Sequence, residues 1–109
     1  MAETPKVLGQ SVPIAATLTD LYTVPASTNV VCSTIVACNR AGTASTFRVS
    51  LAPAGAADAT SQYLYYDVNL PANDTFSSTI GVTLAATDKI RVYSSSANLT
   101  FTALGIEVT

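Results

Sequence analysis

Hydrophobic and polar residues alternate along most of the chain with a period of two. In the stretch "TFRVSL", Phe47, Val49 and Leu51 fall on one side of an extended backbone, and Arg48 and Ser50 fall on the other. The stretch "KIRVYS" has the same pattern. Because successive side chains of a strand point to opposite faces of its sheet, both stretches are predicted to be strands with one buried face.

The stretch "VVCSTIVAC" (30–38) is apolar or small at both odd and even positions. β-Branched residues dominate it, and such a run is typical of a central strand that is covered on both faces. In a straight strand Cys32 and Cys38 would share one face, about 20 Å apart at roughly 3.3 Å per residue. A disulfide needs Cα atoms within about 7 Å. We therefore expect two small buried thiols, and a bond from either thiol to a neighbouring subunit stays open.

Turn-forming residues recur at short spacing and divide the chain into strands. Stretches such as "VPAST", "NRAG" and "LPAND" are rich in residues that favour turns. The predicted strands are 6–10, 15–23, 29–39, 44–52, 61–69, 75–84, 88–95 and 98–108. This spacing predicts a single all-β domain, a β-sandwich of about eight antiparallel strands in jelly-roll-like or Ig-like order. The stretch "APAGAADAT" has no apolar stripe and is predicted to be a loop with room for one helical turn.

The N-terminal segment differs from the rest of the chain because Pro5 and Pro13 flank a short apolar run, "KVLG". Within sheets, proline is confined to edge strands and strand starts. Residues 1–13 are therefore predicted to be an arm or an edge strand that folds back or reaches a neighbour. Residues 14–109 are predicted to be the sandwich domain.

The last predicted strand changes the parity of its apolar positions. Leu99, Phe101 and Ala103 share one parity, whereas the apolar residues of 104–108 share the other. A β-bulge near Gly105 would keep both sets inward. Alternatively, the end of the strand leaves its own sheet and buries its new face against a partner.

Charge is scarce and scattered. Charged residues make up 11% of the 109 residues, against about 25% in an ordinary soluble domain, and the net charge is −2. The five basic residues form no stripe, so no nucleic-acid partner is expected. The longest uncharged run, 21–39, contains Pro25 and many polar residues, so no membrane span is expected. The N-terminus has no apolar segment of a secretory signal, which indicates cytosolic synthesis.

The residue types needed for common active sites are missing. The chain has no histidine and two cysteines at C-x₅-C spacing, whereas a zinc site takes four ligands and a redox motif takes C-x-x-C. The serines have no histidine base and no G-x-S-x-G elbow. Asp67 and Asp74 flank a turn and are predicted to cap it. We therefore expect no catalytic residue, no metal and no cofactor.

The stretch "SQYLYYDVNLP" holds three of the chain's five tyrosines in one predicted strand. Tyr63 and Tyr65 share one parity, and Tyr66 has the other. Exposed tyrosines are enriched at interfaces. We predict that Tyr66 is a core residue and that Tyr63 or Tyr65 contacts a partner. The complete set of predicted contact residues is Lys6, Val7, Leu8, Tyr63, Tyr65, Tyr93, Ile106 and Val108.

Four blocks of the sequence, "LYTVPAST", "VACNRAGTASTFRVSLAPAG", "YLYYDVNLPANDTF" and "LAATDKIRVYSSSANLTF", together resemble small all-β structural proteins of tailed-bacteriophage virions. The resemblance covers roughly 18–109 and carries over no catalytic residue. It implies a non-enzymatic virion protein, a capsid decoration or cement protein above all, assembled in the host bacterial cytoplasm. The implied partners are further copies of the chain, with a trimer favoured, and the major capsid protein or other virion proteins. The alternative is a tail, neck, baseplate or fibre component, including a module that binds the host surface.

Overall fold

A computed structural model describes residues 2–109, which fold into an all-β sandwich. Within this range lie eight strands and two short 3-10 turns, Pro53–Gly55 and Thr60–Gln62. The strands are β1 (Glu3–Ser11), β2 (Thr19–Thr23), β3 (Asn29–Asn39), β4 (Ser45–Ala52), β5 (Tyr63–Leu70), β6 (Thr75–Leu84), β7 (Lys89–Ser94) and β8 (Leu99–Val108). The predicted fold class is confirmed. The stretch predicted to be a loop, 52–60, contains the first turn and ends where the second begins.

Two antiparallel sheets make up the sandwich. Sheet A has the strand order β1-β8-β3-β6, and sheet B has the order β2-β7-β4-β5. Folding the chain back on itself between β4 and β5 brings together β1 with β8, β2 with β7, β3 with β6 and β4 with β5. These pairings match the strand order of a jelly roll, one of the two orders expected from the sequence. The N-terminal segment forms β1, an edge strand of sheet A.

The core lies between the two sheets and is built by the alternating pattern of the sequence. Phe47, Val49, Ile90 and Val92 point inward from sheet B and are at most 1% exposed. The ring of Phe47 lies 5.1 Å from that of Phe76 in sheet A, at a tilted angle that aromatic pairs favour. The one-sided burial predicted for "KIRVYS" is thereby confirmed. In "TFRVSL" Phe47 and Val49 are buried as predicted, whereas Ser50, predicted to lie on the other face, is fully buried and Leu51 is partly exposed.

A row of β-bulges, the bulge line, crosses sheet A. Leu8 is an extra residue in β1 beside Ala103–Leu104 of β8, and Ser33 is an extra residue in β3 beside Leu104–Gly105. At the same level β6 carries two extra residues, Ile80 and Gly81. β8 itself runs straight and stays paired with both neighbours as far as Val108.

The bulge line corrects the expectation for the last strand. The extra residues lie in the neighbours of β8, so nothing turns the apolar residues of 104–108 inward. Leu104, Ile106 and Val108 keep the outward parity and are partly exposed, while Glu107 points between the sheets. β8 also does not leave its sheet, so any partner would meet these residues on the outer face of sheet A.

The bulge also corrects the expectation that Cys32 and Cys38 share a face. The extra residue Ser33 changes the parity of β3, so Cys32 points inward and Cys38 points outward. Cys32 is fully buried, and this burial raises the pKa of its thiol. Cys38 is partly exposed, and both thiols are free. The prediction assumed a straight strand, in which residues six apart have the same parity.

Two glycines permit backbone contacts that a side chain would block. A Cβ atom on Gly105 would lie 2.2 Å from the carbonyl oxygen of Val31, where the bulge presses β3 against β8. A Cβ atom on Gly9 would lie 2.2 Å from the carbonyl oxygen of Leu21, where β1 meets β2 across the sandwich. In both places the obstacle is backbone, which cannot rotate away.

We expect Gly105→Ala to lower the free energy of unfolding by about 1–3 kcal/mol or more, because β3 and β8 must separate to admit the methyl group. Gly42→Ala is the matched control, since nothing lies within 4 Å of a Cβ atom at Gly42. Urea unfolding of the three proteins measures the difference. Equal midpoints for the two variants would contradict the close contact at Gly105.

Candidate interaction surfaces

The outer face of sheet A carries an aliphatic patch at the end where β8 finishes. Strand pairing sets Pro5, Ile106 and Val31 side by side across β1, β8 and β3, and it sets Val7 beside Leu104. Val7 is 48% exposed and Val31 is 40% exposed. The aliphatic patch consists of Pro5, Val7, Val31, Leu104, Ile106 and Val108.

The rest of this face is neutral and rich in hydroxyl groups. Within β3, β6 and β8 the sole charged residue is Glu107, which points between the sheets. Thr34, Thr102 and Thr79 lie beside the aliphatic patch on the outward parity of their strands. A partner covering this face would bury methyl and hydroxyl groups without burying a charge from these three strands.

The aliphatic patch includes Val7, Ile106 and Val108 from the predicted contact residues. It also includes Val31 and Leu104, which the sequence interpretation did not single out as contacts. Their signal was present in the two-sided apolar pattern of "VVCSTIVAC" and in the parity change at Leu104. The first signal predicts cover on both faces of β3, and the second leaves open a bulge or a face buried against a partner; in the single chain both side chains lie on the surface.

Two other predicted contact residues lie elsewhere. Leu8 is the bulged residue of β1 and points into the core, with 8% of its surface exposed, so it offers almost no surface to a partner. The Lys6 ammonium lies 3.5 Å from Oε1 of Glu107, within the chain. The change of parity at the bulge accounts for both placements.

Glu107 joins the two sheets on the β1–β2 side. Tyr22 of β2 donates a hydrogen bond from its hydroxyl to Oε2 of Glu107, at 2.5 Å. Burial, followed by this carboxylate, raises the pKa of the Tyr22 phenol well above its usual value of 10.0. The protonated phenol is therefore the form that the folded state favours.

We expect Tyr22→Phe to lower the free energy of unfolding by about 1–2 kcal/mol at pH 8, because Glu107 loses a donor. A raised phenol pKa stabilises the fold fully below the unfolded pKa near 10, and this contribution is lost as the pH rises above it. The stability difference between the wild type and the variant should therefore shrink above pH 10. Thermal unfolding from pH 8 to 11 measures it, with Tyr66→Phe as the control that keeps the wild-type slope.

The outer face of sheet B has a different character, set by a cluster of tyrosines around Arg48. The guanidinium of Arg48 lies between two rings, 4.1 Å from the centre of Tyr66 and 4.3 Å from that of Tyr93. Its Nε donates to Oδ1 of Asp67 at 2.6 Å, and this carboxylate raises the pKa of Arg48. Tyr63 packs edge-on against Tyr66, with ring centres 5.0 Å apart. We call these five residues the tyrosine–arginine cluster.

The cluster corrects the assignment of faces in β5. Tyr66 is 57% exposed rather than part of the core. Tyr65 points inward, packs against Phe76 and shares a hydrogen bond with the hydroxyl of Ser78. Extra residues in β5 change its parity twice, and one of them, Asp67, has a φ of 51°. Tyr63 and Tyr65 therefore lie on opposite faces, although their sequence spacing predicts one face.

The remaining charges of this face are paired within the chain. Asp20 accepts hydrogen bonds from Lys89 at 2.8 Å and from Arg91 at 3.1 Å. The bond from Lys89 is the main reason that the pKa of Asp20 lies below its usual value. Arg91 also donates to the carbonyl groups of Gly55 and Ala56, which fixes the loop after β4. The face is thus polar, ordered and electrostatically satisfied.

Other surface features are less developed. A depression of about 430 Å³ lies beside the same loop, and no ionisable side chain is among its lining residues, Leu51, Pro53, Ala56, Ser61, Gln62 and Leu64.

Among residues 2–109 there is no group of three or more His, Cys, Asp or Glu residues that could hold a metal ion. No helix in the same range has the length and apolar character to cross a membrane. Val12 and Ile14, in the loop between β1 and β2, are 53% and 74% exposed.

No protein-family model and no curated protein matches this chain. The functional argument therefore rests on the surfaces themselves. The two outer faces differ most clearly: sheet A presents neutral and aliphatic groups, and sheet B presents paired charges and tyrosines.

Proposed function

We infer that the chain is a non-enzymatic structural protein of a tailed-bacteriophage virion, which decorates the capsid and binds it through the outer face of sheet A. The observation that carries this proposal is the aliphatic patch. The sequence of β3 is typical of a strand covered on both sides, yet its outer face is open in the single chain, with Val31 40% exposed. Exposed apolar patches rimmed by polar residues mark interaction sites.

The chemistry of the face restricts the surface that it can bind. A charged group of the partner would have to give up water without finding a counter-charge on β3, β6 or β8. The complementary surface is therefore apolar and hydroxyl-rich, such as a seam between subunits of the major capsid protein. A protein that binds only the assembled shell stabilises it by mass action.

Capsid decoration also agrees with the proposed partners and place of assembly. Many copies would cover the shell, as homo-oligomers bound to the major capsid protein, after assembly in the host bacterial cytoplasm. Sheet B, whose outer charges are already paired, would then face water. The sequence resemblance to virion structural proteins supports the same assignment.

The test introduces one carboxylate on each face of the chain. We expect Val31→Asp to lower the number of copies on purified virions by at least about tenfold, since burying an unpaired carboxylate costs more than the 1.4 kcal/mol of a tenfold change. Asn69→Asp is the matched control, because Asn69 is exposed on β5 of sheet B. Quantitative mass spectrometry of the particles gives the copy number, and circular dichroism checks that both variants fold.

Two results would overturn the proposal. One is a wild-type copy number of only a few per particle, which a shell-covering protein cannot have. The other is equal incorporation of Val31→Asp and the wild type, which would remove sheet A from the contact.

A second candidate function is supported by the tyrosine–arginine cluster. Tyr66 is 57% exposed and its ring packs against the guanidinium of Arg48, and exposed aromatic side chains suit recognition of another surface. A tail, neck, baseplate or fibre component that binds the host surface would use this face. Cryo-electron microscopy that places the protein on the tail, together with host binding that Tyr66→Ala abolishes, would favour this candidate over capsid decoration.

A further inference from the structure

The sandwich is closed along one side. On the β1–β2 side, Leu8, Leu21 and Tyr22 are each at most 9% exposed. Gly9 lets the backbone of β1 approach β2, and the Tyr22–Glu107 hydrogen bond links the sheets there. On this side of the described chain, the inward-pointing apolar residues of β1 and β2 are therefore already buried.

The opposite side, formed by β5 and β6, is open. Tyr65 and Val68 of β5 and Phe76 and Val82 of β6 pack against the core, but they are only partly buried. All four point inward from edge strands, so neighbouring strands of the chain cover them on one side only. The hydrophobic core therefore reaches the surface between β5 and β6.

The edge of β6 is also the least protected of the four sheet edges. Natural sheets guard their edges with charges, prolines, short strands and bulges, because free backbone N–H and C=O groups bind other strands. β1 carries Pro5 and Lys6, the five-residue β2 carries Asp20, and β5 carries Asp67. The ten residues of β6, "TFSSTIGVTL", contain neither charge nor proline.

The exposed edge of β6 is regular over half of its length. Residues 75–79 pair with β3 without a register shift, and the bulge at Ile80–Gly81 comes after them. Ser77 and Thr79 point outward and are exposed, while Phe76 and Ser78 point inward. A strand added here would find about five residues of straight backbone with small outward side chains.

We propose that β6 pairs antiparallel with β6 of a second copy of this chain, so that the two A sheets become one continuous eight-stranded sheet. A two-fold axis through the edge sets the same segment against itself, which is the commonest interface of homo-oligomers. The segment can pair with itself, because it is uncharged and because its inward-pointing residues in both copies would lie on the same face of the joined sheet. Phe76 and Val82 of each copy gain cover from the other, and the two cores join.

This inference does not rest on the virion assignment. It concerns the free protein and requires a dimer as the basic unit, whereas the sequence resemblance implies a trimer. The capsid-binding proposal can fail while the β6 contact holds, and the reverse is also possible. A measurement on the purified chain alone therefore tests it.

The first experiment measures mass and its dependence on concentration by sedimentation velocity. We expect a species with twice the 11.2 kDa mass of one chain. The double variant Ser77→Lys/Thr79→Lys should raise the dissociation constant at least about tenfold, because like charges would oppose each other across the axis. Thr100→Lys/Thr102→Lys is the matched control on the central strand β8 and should leave the constant unchanged.

The second experiment locates the contact even if the lysine variants fold poorly. In a Cys38→Ser background, Ser77→Cys/Thr79→Cys should form a disulfide-linked dimer on mild oxidation, since opposite residues of paired strands lie within bonding distance. Thr100→Cys/Thr102→Cys, on the face of sheet A but away from its edge, should stay monomeric on a non-reducing gel.

Three results would overturn the inference. The wild type could remain a monomer at 100 µM concentrations or sediment as a trimer. The two lysine variants could weaken association equally. The cross-link could form through positions 100 and 102 instead of 77 and 79, which would place the contact on the outer face of sheet A.

Discussion

The bulge line of sheet A decides which side chains of the protein face inward. β8 runs straight, while β1 fits one more residue beside Ala103–Leu104 and β3 fits one more beside Leu104–Gly105. The side-chain period of a strand is two, so one extra residue exchanges the two faces from that point on. Cys32 and Leu8 thereby enter the core, and Val31 and Val7 are left on the surface. The core and the aliphatic patch are two results of one packing constraint, and Gly105 makes it sterically possible.

The two sheets meet their surroundings in opposite ways. On sheet B, Asp20 forms ion pairs with both Lys89 and Arg91, Asp67 pairs with Arg48, and tyrosine rings cover the guanidinium of Arg48. This face is therefore stable when it is exposed to water. Sheet A has few charges to pair and leaves aliphatic groups uncovered outside and at the β6 edge. The two uncovered surfaces point in different directions. The aliphatic patch faces away from the plane of sheet A, and the edge of β6 faces along that plane.

Local sequence pattern predicted the strands well and the faces unevenly. β3 and β6 have the predicted bounds, and β7, and β4 as far as Val49, have the predicted buried side, because alternation is a property of a single strand. β1 begins at Glu3 rather than residue 6, and β2 begins at Thr19 rather than residue 15. A bulge near Gly105 is one alternative that the sequence predicts, but the extra residues lie in β1 and β3, since a bulge belongs to a pair of strands and neither Ser33 nor Leu8 has a local signature. Val7, Ile106 and Val108 lie on one surface, whereas in β5 Tyr65 points inward and Tyr66, predicted to be a core residue, is exposed.

Ser33 shows how a residue can matter without its side chain. It is exposed and lies outside the core, so many side chains would fit at this position. Its presence, however, sets the number of residues between Cys32 and Ile35, both of which point inward. Losing one residue there would turn either Val30 and Cys32 or the rest of the strand toward solvent. This short segment of β3 therefore tolerates substitution far better than deletion, because the fold depends there on chain length and hardly on chemistry.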